Sequence, residues 1–164
     1  MLNLILAANL NGCIWKNNQL CWNLKKDLKF FSEKTKGQVV IMWKNTYLSL
    51  PEAFRPLPWR VNFVVSRTLN DEKVQIFSDL DQAIQEVQKL GKEIFLIGWK
   101  SVYEKGIDLV DKVYLTQVEG KFGCDVCLSK NFFDKLNKNF RLENESEVFE
   151  ENGIKFSFLE YLNN

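Results

Sequence analysis

Short apolar and β-branched runs alternate with amphipathic stretches over the first two thirds of the chain. The runs predict strands over residues 2–8, 38–42, 61–65, 74–77, 93–97, 112–118 and 154–159. Helical spacing of apolar residues predicts helices over 24–35, 79–90 and 100–105. The second helix has a start signal, because Ser78 is followed three residues later by Asp81, as in a capping box. Strands that alternate with helices are typical of a largely parallel sheet.

The last third of the chain has a different pattern. Strand-like runs over 112–118, 140–150 and 154–161 follow one another, and we expect no helix among them. Glu151-Asn152-Gly153 between the last two runs is a hairpin-turn signal. We therefore predict one α/β domain over residues 1–164. Its central sheet should be mixed and mostly parallel, with flanking helices and antiparallel C-terminal strands.

Composition and charge exclude several classes of function. The chain has 164 residues, is 46% hydrophobic and carries a net charge of +1, which predicts no nucleic-acid partner and no anionic membrane partner. The apolar N-terminal run is too short for a membrane span, so we expect a cytoplasmic protein. The absence of histidine excludes Ser-His-Asp chemistry. Acid–base chemistry must then come from carboxylates, Lys, Tyr, Cys or water.

Asp27 is the first candidate for that chemistry. On a helix it falls at the edge of the apolar stripe formed by Leu24, Leu28 and Phe31. Two interpretations are open, a solvent-exposed flanking carboxylate or a buried functional acid. Apolar surroundings would raise the pKa of a buried carboxyl and make its neutral form accessible.

Two strand ends indicate a ligand site. The run ending at Met42 is followed by Lys44 and Thr46, a cation and a hydroxyl that suit a phosphate. The run over 94–97 turns through Gly98 into a helix start. Ligands of open α/β sheets bind at the carboxyl ends of strands, so both ends are consistent with one dinucleotide. The usual G-x-G-x-x-G fingerprint is absent from the sequence.

A series of motifs resembles one known family. Residues 18–31, NQLCWNLKKDLKFF, resemble with Thr35 the dihydrofolate reductase signature of Asn-x-Leu-Pro-Trp followed by Asp-Leu, Phe and Thr. Further motifs follow in that family's order at Val40-Ile-Met42, Lys44-Asn-Thr46, Arg55-Pro-Leu-Pro-Trp-Arg60, Ile97-Gly98, Val102-Tyr103, Tyr114-Leu-Thr116 and Cys124-Asp125. The chain is thus similar to dihydrofolate reductases over about residues 2–161.

The resemblance implies NADPH-dependent reduction of 7,8-dihydrofolate to 5,6,7,8-tetrahydrofolate, with hydride transfer to pterin C6 and protonation of N5. It implies a monomer, a small-molecule substrate and no metal. Asp27 matches the active-site carboxylate and Thr35 the hydroxyl that bonds it, while Arg60 matches the arginine that pairs with the substrate's glutamate carboxylate. Trp22 matches a tryptophan beside the site, with simple core filling as the alternative.

The matching positions divide into three sets. The expected catalytic residues are Asp27, Trp22 and Thr116. The expected substrate-binding residues are Ile5, Ala7, Leu28, Phe31, Thr35, Leu50, Leu57, Arg60 and Ile97. The expected cofactor-binding residues are Ala7, Ile14, Leu20, Trp43, Lys44, Asn45, Thr46, Ser66, Arg67, Gly98, Trp99, Lys100 and Tyr103.

The chain departs from the family at four tryptophans. Trp15, Trp43, Trp59 and Trp99 stand where the family has glycine, and Trp99 replaces the second residue of the family's cis Gly-Gly peptide. Glycine serves where φ is positive or where backbone approaches a ligand closely. UGA is translated as tryptophan in some genetic codes and as glycine in others, so one misassigned codon would explain all four changes. Restoring glycine would raise its count from 8 to 12 of 164, close to the usual share of about 7%.

These departures keep two alternative functions open. One is a catalytically impaired nucleotide-binding homologue, which follows if the tryptophans are genuine. The other is a pyrimidine reductase of riboflavin synthesis, which shares the fold.

The four cysteines allow more than one interpretation. Cys124 and Cys127 have the spacing of a metal knuckle or redox pair, but Cys13 and Cys21 are too far apart for a second knuckle. The resemblance implies that the two loops carrying these pairs touch. We expect free loop thiols, with a metal site or disulfides as the alternatives.

Overall fold

The computed structural model describes residues 1–17 and 19–164. The strands are β1 (Leu2–Asn9), β2 (Cys13–Lys16), β3 (Gln19–Leu20), β4 (Val39–Trp43), β5 (Val61–Val65), β6 (Gln75–Phe77), β7 (Ile94–Leu96), β8 (Lys112–Val118), β9 (Val126–Cys127), β10 (Phe140–Glu145), β11 (Phe149–Glu151) and β12 (Ile154–Asn163). The helices are α1 (Lys25–Thr35), α2 (Lys44–Ser49), α3 (Leu80–Gln88), α4 (Lys100–Gly106) and α5 (Lys130–Asn139), with a 3-10 turn at Glu52–Phe54. Over these described ranges, no helix has the length and apolar character needed to cross a membrane.

The main sheet has nine strands in the order β10-β12-β8-β1-β7-β4-β5-β6, with β11 paired to β12. Strand β1 is parallel to β7 and β8, and β4 is parallel to β5 and β7. Strand β12 runs antiparallel to β8, β10 and β11. The predicted mixed α/β sheet with antiparallel C-terminal strands is therefore confirmed. A small antiparallel sheet, β3-β2-β9, lies apart from it.

The central strands are buried on both faces. Successive side chains of a strand point to opposite faces, so Leu4 and Ile41 belong to the apolar cluster that α3, α4 and α5 cover. Ile5 and Val40 belong to the cluster on the other face, against which Phe31 of α1 packs. This double coverage explains why these strands appear in the sequence as continuous apolar runs.

Helix α5 contradicts the expectation of a final third without helices. Ser129 caps its N-terminus by accepting a hydrogen bond from the backbone N–H of Phe132, and Phe132 and Leu136 are buried one turn apart. The expected strand over 140–150 is also divided into β10 and β11, because Ser146 turns its hydroxyl to accept from the backbone N–H of Phe158.

Two local signals can be compared directly with the structure. The hairpin turn is confirmed, since Asn152 and Gly153 join β11 to β12 with φ of 52° and 76°. The cap of α3 lies one residue later than expected. Asp79 accepts a hydrogen bond from the backbone N–H of Gln82, while Ser78 bonds only the Gln82 side chain.

Candidate active site

A cavity of about 180 Å³ lies among β1, α1 and the segment after β7. Its lining residues are Ile5, Leu6, Ala7, Trp15, Leu20, Asp27, Leu28, Phe30, Phe31, Thr46, Leu50, Ile97, Gly98, Tyr103 and Thr116. The lining is mostly apolar, which is typical of a small-molecule site with a few polar groups. The structure thus brings most of the expected substrate-binding residues together. Leu6, Trp15 and Phe30 line the cavity but belong to none of the three expected sets, although Phe30 lies one helical turn from Asp27.

Asp27 supplies the acid of this cavity. It lies in the first turn of α1 and is 9% exposed. Its Oδ1 accepts a hydrogen bond of 2.7 Å from the Thr116 hydroxyl on β8. Burial raises the pKa of the Asp27 carboxyl, the hydrogen bond from Thr116 lowers it, and the charge of Glu151 raises it. The interpretation of Asp27 as a buried acid is therefore correct, and the solvent-exposed alternative is wrong.

Thr35 does not bond Asp27, contrary to expectation. Its hydroxyl donates to the carbonyl of Phe31 and accepts from Arg60 Nε, each at 2.8 Å. Thr35 is the last residue of α1 and Asp27 lies in its first turn. Eight residues at about 1.5 Å each separate them by about 12 Å. The hydroxyl that reaches Asp27 is instead that of Thr116, from a neighbouring strand.

Arg60 lies at the C-terminal end of α1, outside the lining of the cavity. Its Nη1 donates to the carbonyl of Pro58 at 2.7 Å, and its Nη2 donates to the Ser32 hydroxyl at 3.0 Å. The guanidinium carbon lies 5.6 Å from the centre of the Phe31 ring. Leu57, which is also outside the lining, packs against the same apolar cluster as Phe31. Arg60 is thus a partly buried cation held by fixed contacts.

A second cavity of about 500 Å³ opens where β4 and β5 end. The expected cofactor-binding residues that line it are Trp43, Lys44, Asn45, Ser66 and Arg67. Lys105 adds a third cation to the lining, and two acids at the start of α3, the N-cap Asp79 and Asp81, also line this cavity. None of these three residues was expected at the site. A cluster of cations and hydroxyls at two adjacent strand ends suits a phosphorylated ligand.

The turn after β7 borders the first cavity, and three expected cofactor-binding residues, Thr46, Gly98 and Tyr103, meet there. Gly98 has φ of 112°, and a Cβ there would collide with the side chain of Thr46. The Tyr103 hydroxyl accepts from the backbone N–H of Gly98 at 2.8 Å and donates to the carbonyl of Ile5 at 3.3 Å. Burial raises the pKa of this phenol. The buried Thr46 hydroxyl has no hydrogen-bond partner within the described residues, so the site fits a ligand that carries acceptor oxygens.

Two of the four unusual tryptophans meet beside this turn. The rings of Trp15 and Trp99 lie 5.6 Å apart, and Trp15 Nε1 donates to the carbonyl of Gly98 at 3.2 Å. Trp15 lines the first cavity, whereas Trp99 precedes α4 and lines neither cavity. The Gly98–Trp99 peptide departs from the cis geometry of the family. Among residues 1–17 and 19–164 the only cis bond is Arg55–Pro56.

The other two unusual tryptophans differ in their surroundings. Trp43 is partly buried at the end of β4 and lines the second cavity. Trp59 is 78% exposed and has φ of 63°, a left-handed conformation. Glycine adopts this conformation without steric cost, so the backbone at position 59 suits the family's residue better than tryptophan.

Three further expected site residues lie outside both linings. Trp22 is buried and packs edge to face on Phe122 with 5.5 Å between ring centres, which agrees with core filling. Ile14 is buried in the main apolar cluster, and Lys100 is the first residue of α4. Asn18, the first residue of the motif over 18–31, lies outside the described residues.

The cysteines are not free, contrary to expectation. Cys13 forms a disulfide with Cys127, and Cys21 forms one with Cys124. The antiparallel pairing of β2 with β9 places Cys13 directly opposite Cys127, a relation that spacing along the chain does not reveal. The two bonds attach both ends of the segment that carries Trp15 and Leu20, two cavity-lining residues, to the region around β9.

These features define an α/β protein with an apolar, acid-containing cavity and a basic cavity at the carboxyl ends of its strands. The family model for dihydrofolate reductase matches residues 1–163, and the chain belongs to that family.

Its relatives support the same assignment. It is 34% identical to a putative dihydrofolate reductase of Caenorhabditis elegans, over 98% of this chain and 95% of the relative. It is 35% identical to dihydrofolate reductase type 9 of Escherichia coli, over 99% of this chain and 93% of the relative. It is also 35% identical to a bifunctional dihydrofolate reductase-thymidylate synthase of Paramecium tetraurelia, over 98% of this chain. The matched region is 34% of the length of that relative.

Proposed function

We propose that this chain reduces 7,8-dihydrofolate to 5,6,7,8-tetrahydrofolate with NADPH. The observation that carries the proposal is the buried Asp27 carboxyl, bonded by Thr116 in the wall of an apolar cavity. Relatives of similar length named dihydrofolate reductase support the choice of substrate. The pyrimidine reductase alternative is not favoured, because both the family match and these relatives are dihydrofolate reductases.

Asp27 and Thr116 would bind and polarise the pterin. The Asp27 carboxylate accepts hydrogen bonds from the pterin's amino and ring N–H groups, and Thr116 fixes one of its oxygens. Its negative charge favours protonation of N5. The apolar residues Leu28, Phe31 and Leu50 line the cavity beside the carboxylate. A bound pterin would displace water from this lining and so strengthen the electrostatic effect. NADPH, when bound, supplies the hydride that reduces C6.

The second cavity would hold the phosphates of the cofactor. Lys44 and Arg67 provide two cations for the 2′-phosphate of NADPH, which NADH lacks. The Thr46 hydroxyl, which lines the first cavity and has no partner within the described residues, would donate to the pyrophosphate. We therefore expect NADPH to bind more tightly than NADH, and Arg67→Gln to remove most of that preference.

The test is NADPH oxidation in the presence of dihydrofolate. Asp27→Asn should keep the fold and the binding of NADPH but lose most turnover near neutral pH, because an amide cannot carry the negative charge. Lower pH should restore part of the rate by protonating the substrate in solution. Asp134→Asn, an exposed carboxylate of α5, is the matched control and should leave turnover unchanged. Full activity of Asp27→Asn would overturn the assignment.

The four indoles bear on the alternative of an impaired nucleotide-binding homologue, which the family match does not favour. Trp15 lines the first cavity and Trp43 the second, where each occupies space beside the proposed ligand. Changing Trp15, Trp43, Trp59 and Trp99 to Gly should tighten NADPH binding and raise activity. Position 43 alone should recover most of the affinity, because Trp43 lines the second cavity whereas Trp99 lines neither.

Fluorescence titration at matched salt measures these affinities. Equal NADPH affinity with and without the four indoles would show that they point away from the cofactor. It would refute the expectation that glycine at these four positions favours cofactor binding. The codons of the gene provide an independent test. UGG codons at the four positions would show that the tryptophans are genuine and would refute the hypothesis of UGA codons translated under the wrong genetic code.

The remaining parts of the proposal concern the protein's surroundings. We infer that the chain has no nucleic-acid partner, in keeping with a net charge of +1. A monomer stays a prediction. A cytoplasmic location stays a prediction. The two disulfides count against it, because thiols are kept reduced in most cytoplasms.

A further inference from the structure

Helix α1, which carries Asp27, begins without a cap of its own. Leu24 at the N-cap position has φ of −120° and ψ of 111°, and its apolar side chain accepts no hydrogen bond. The first N–H groups of a helix have no intrahelical partner and give this end a partial positive charge. An acceptor for them must therefore come from another part of the chain.

Glu151 provides that acceptor from the end of β11, more than 120 residues further along the chain. Its Oε2 accepts from the backbone N–H of Lys25 at 2.6 Å, and its Oε1 accepts from the backbone N–H of Lys26 at 3.1 Å. These two bonds lower the pKa of the Glu151 carboxyl, so it is ionised at neutral pH. The hairpin is further attached to α1 by the Lys26 ammonium, which lies 3.7 Å from the centre of the Phe149 ring.

We propose that Glu151 is a positioning residue for Asp27, fixing the first turn of α1 so that the Asp27 carboxyl faces Thr116. The expected effect on catalysis rests on the proposed function, in which Asp27 is the essential carboxylate. Asp27 follows Lys26 directly, so the two N–H groups that Glu151 binds belong to the peptide units just before it. Movement of this turn would move the carboxyl relative to β8.

Glu151 also acts on Asp27 by its charge. The positive end of a helix stabilises a carboxylate in its first turn, and the negative charge of Glu151 opposes this effect and raises the pKa of Asp27. The other titratable groups near Asp27 are Lys25 and Lys26, exposed on the same helix, and the buried Tyr103 of α4. Of the groups named here, Glu151 is the one whose negative charge raises the pKa of Asp27.

The test compares Glu151→Gln and Glu151→Ala with Glu150→Gln. The first keeps an oxygen acceptor for the helix but removes the charge, the second removes both, and the third removes a neighbouring exposed charge as the control. The readouts are the pH dependence of dihydrofolate reduction and the titration of the Asp27 carboxyl followed by NMR without substrate.

Glu151→Gln should move both midpoints to lower pH by about 0.2–0.7 pH, the size expected for one charge at a helix end. Its rate should recover as the pH is lowered. Glu151→Ala should show a smaller downward shift, because a displaced Asp27 also loses the Thr116 bond that lowers its pKa. It should show a further loss of rate at every pH, and Glu150→Gln should match the original chain. A Glu151→Ala variant that matches Glu151→Gln in both rate and midpoint would overturn the proposal, because the two differ only in the acceptor for the helix. If the original chain fails to reduce dihydrofolate, the proposed function is wrong, and the NMR titration still decides the role of Glu151.

Discussion

Trp59→Gly should stabilise the protein, although it deletes a large aromatic side chain. The Trp59 backbone is left-handed, with φ of 63°, and its side chain is 78% exposed. A residue with a Cβ adopts this conformation at a cost of about 1–2 kcal/mol. Glycine removes the cost, and the main-chain bond from the Gly37 N–H to the carbonyl of residue 59 does not depend on the side chain.

The expected magnitude follows from two opposing effects. Relief of the left-handed strain contributes about 1–2 kcal/mol, and the greater freedom of glycine in the unfolded chain takes back about 0.5–1 kcal/mol. The exposed indole loses little burial when it is removed. We therefore expect the free energy of unfolding to rise by about 0.5–1 kcal/mol.

Urea unfolding of three variants measures this effect. Trp59→Ala removes the same indole but keeps a Cβ, so it should change stability by less than about 0.5 kcal/mol. Trp43→Gly makes the same substitution in a partly buried strand residue with φ of −82°. It should destabilise by about 2 kcal/mol or more, because burial is lost and no strain is relieved. If Trp59→Gly destabilises as much as Trp43→Gly, the backbone argument is refuted.

Two further predictions concern the cysteines and the buried acid. The disulfides enclose 114 and 103 residues and are nested, so the second to form closes an effective loop of only about a dozen residues. Cys13→Ser and Cys21→Ser should each cost about 3 kcal/mol and together about 7–8 kcal/mol in non-reducing urea unfolding; strictly additive losses would contradict nested closure. Asp27→Asn should raise the free energy of unfolding at pH 7. Folding raises the pKa of the Asp27 carboxyl above its ordinary value of 3.8, so ionisation of this group destabilises the folded protein as the pH rises above 3.8. The gain in the free energy of unfolding should vanish below that pH. A gain that stays constant between pH 3 and 8 would contradict this prediction.

Local patterns in the sequence were enough to predict most strands, most helices and the order of the site motifs. They succeeded because side-chain periodicity and turn chemistry depend on residues within a few positions of one another. Helix α5 shows that even a local signal can be missed, since its Ser129 cap and the apolar pair Phe132 and Leu136 are all visible in the sequence.

The position of Asp27 at the edge of an apolar stripe could be predicted, but its environment could not. Its hydroxyl partner Thr116 is 89 residues away, and only the parallel pairing of β8 with β1 brings that strand beside the cavity. The family resemblance named Thr35 instead, a residue of the right chemistry at the wrong end of the helix. Thr35 lies too far along α1 to bond Asp27. The pairing of β8 with β1 brings Thr116 within hydrogen-bond distance instead.

The longest-range contacts depended entirely on the tertiary structure. The cysteine pairs and the contact of Glu151 with the start of α1 join residues more than 100 positions apart. No periodicity links such residues, because their proximity is set by strand order and by the path of the C-terminal hairpin. The sequence by itself determined which side chains were available for the site, and the tertiary structure decided which of them meet.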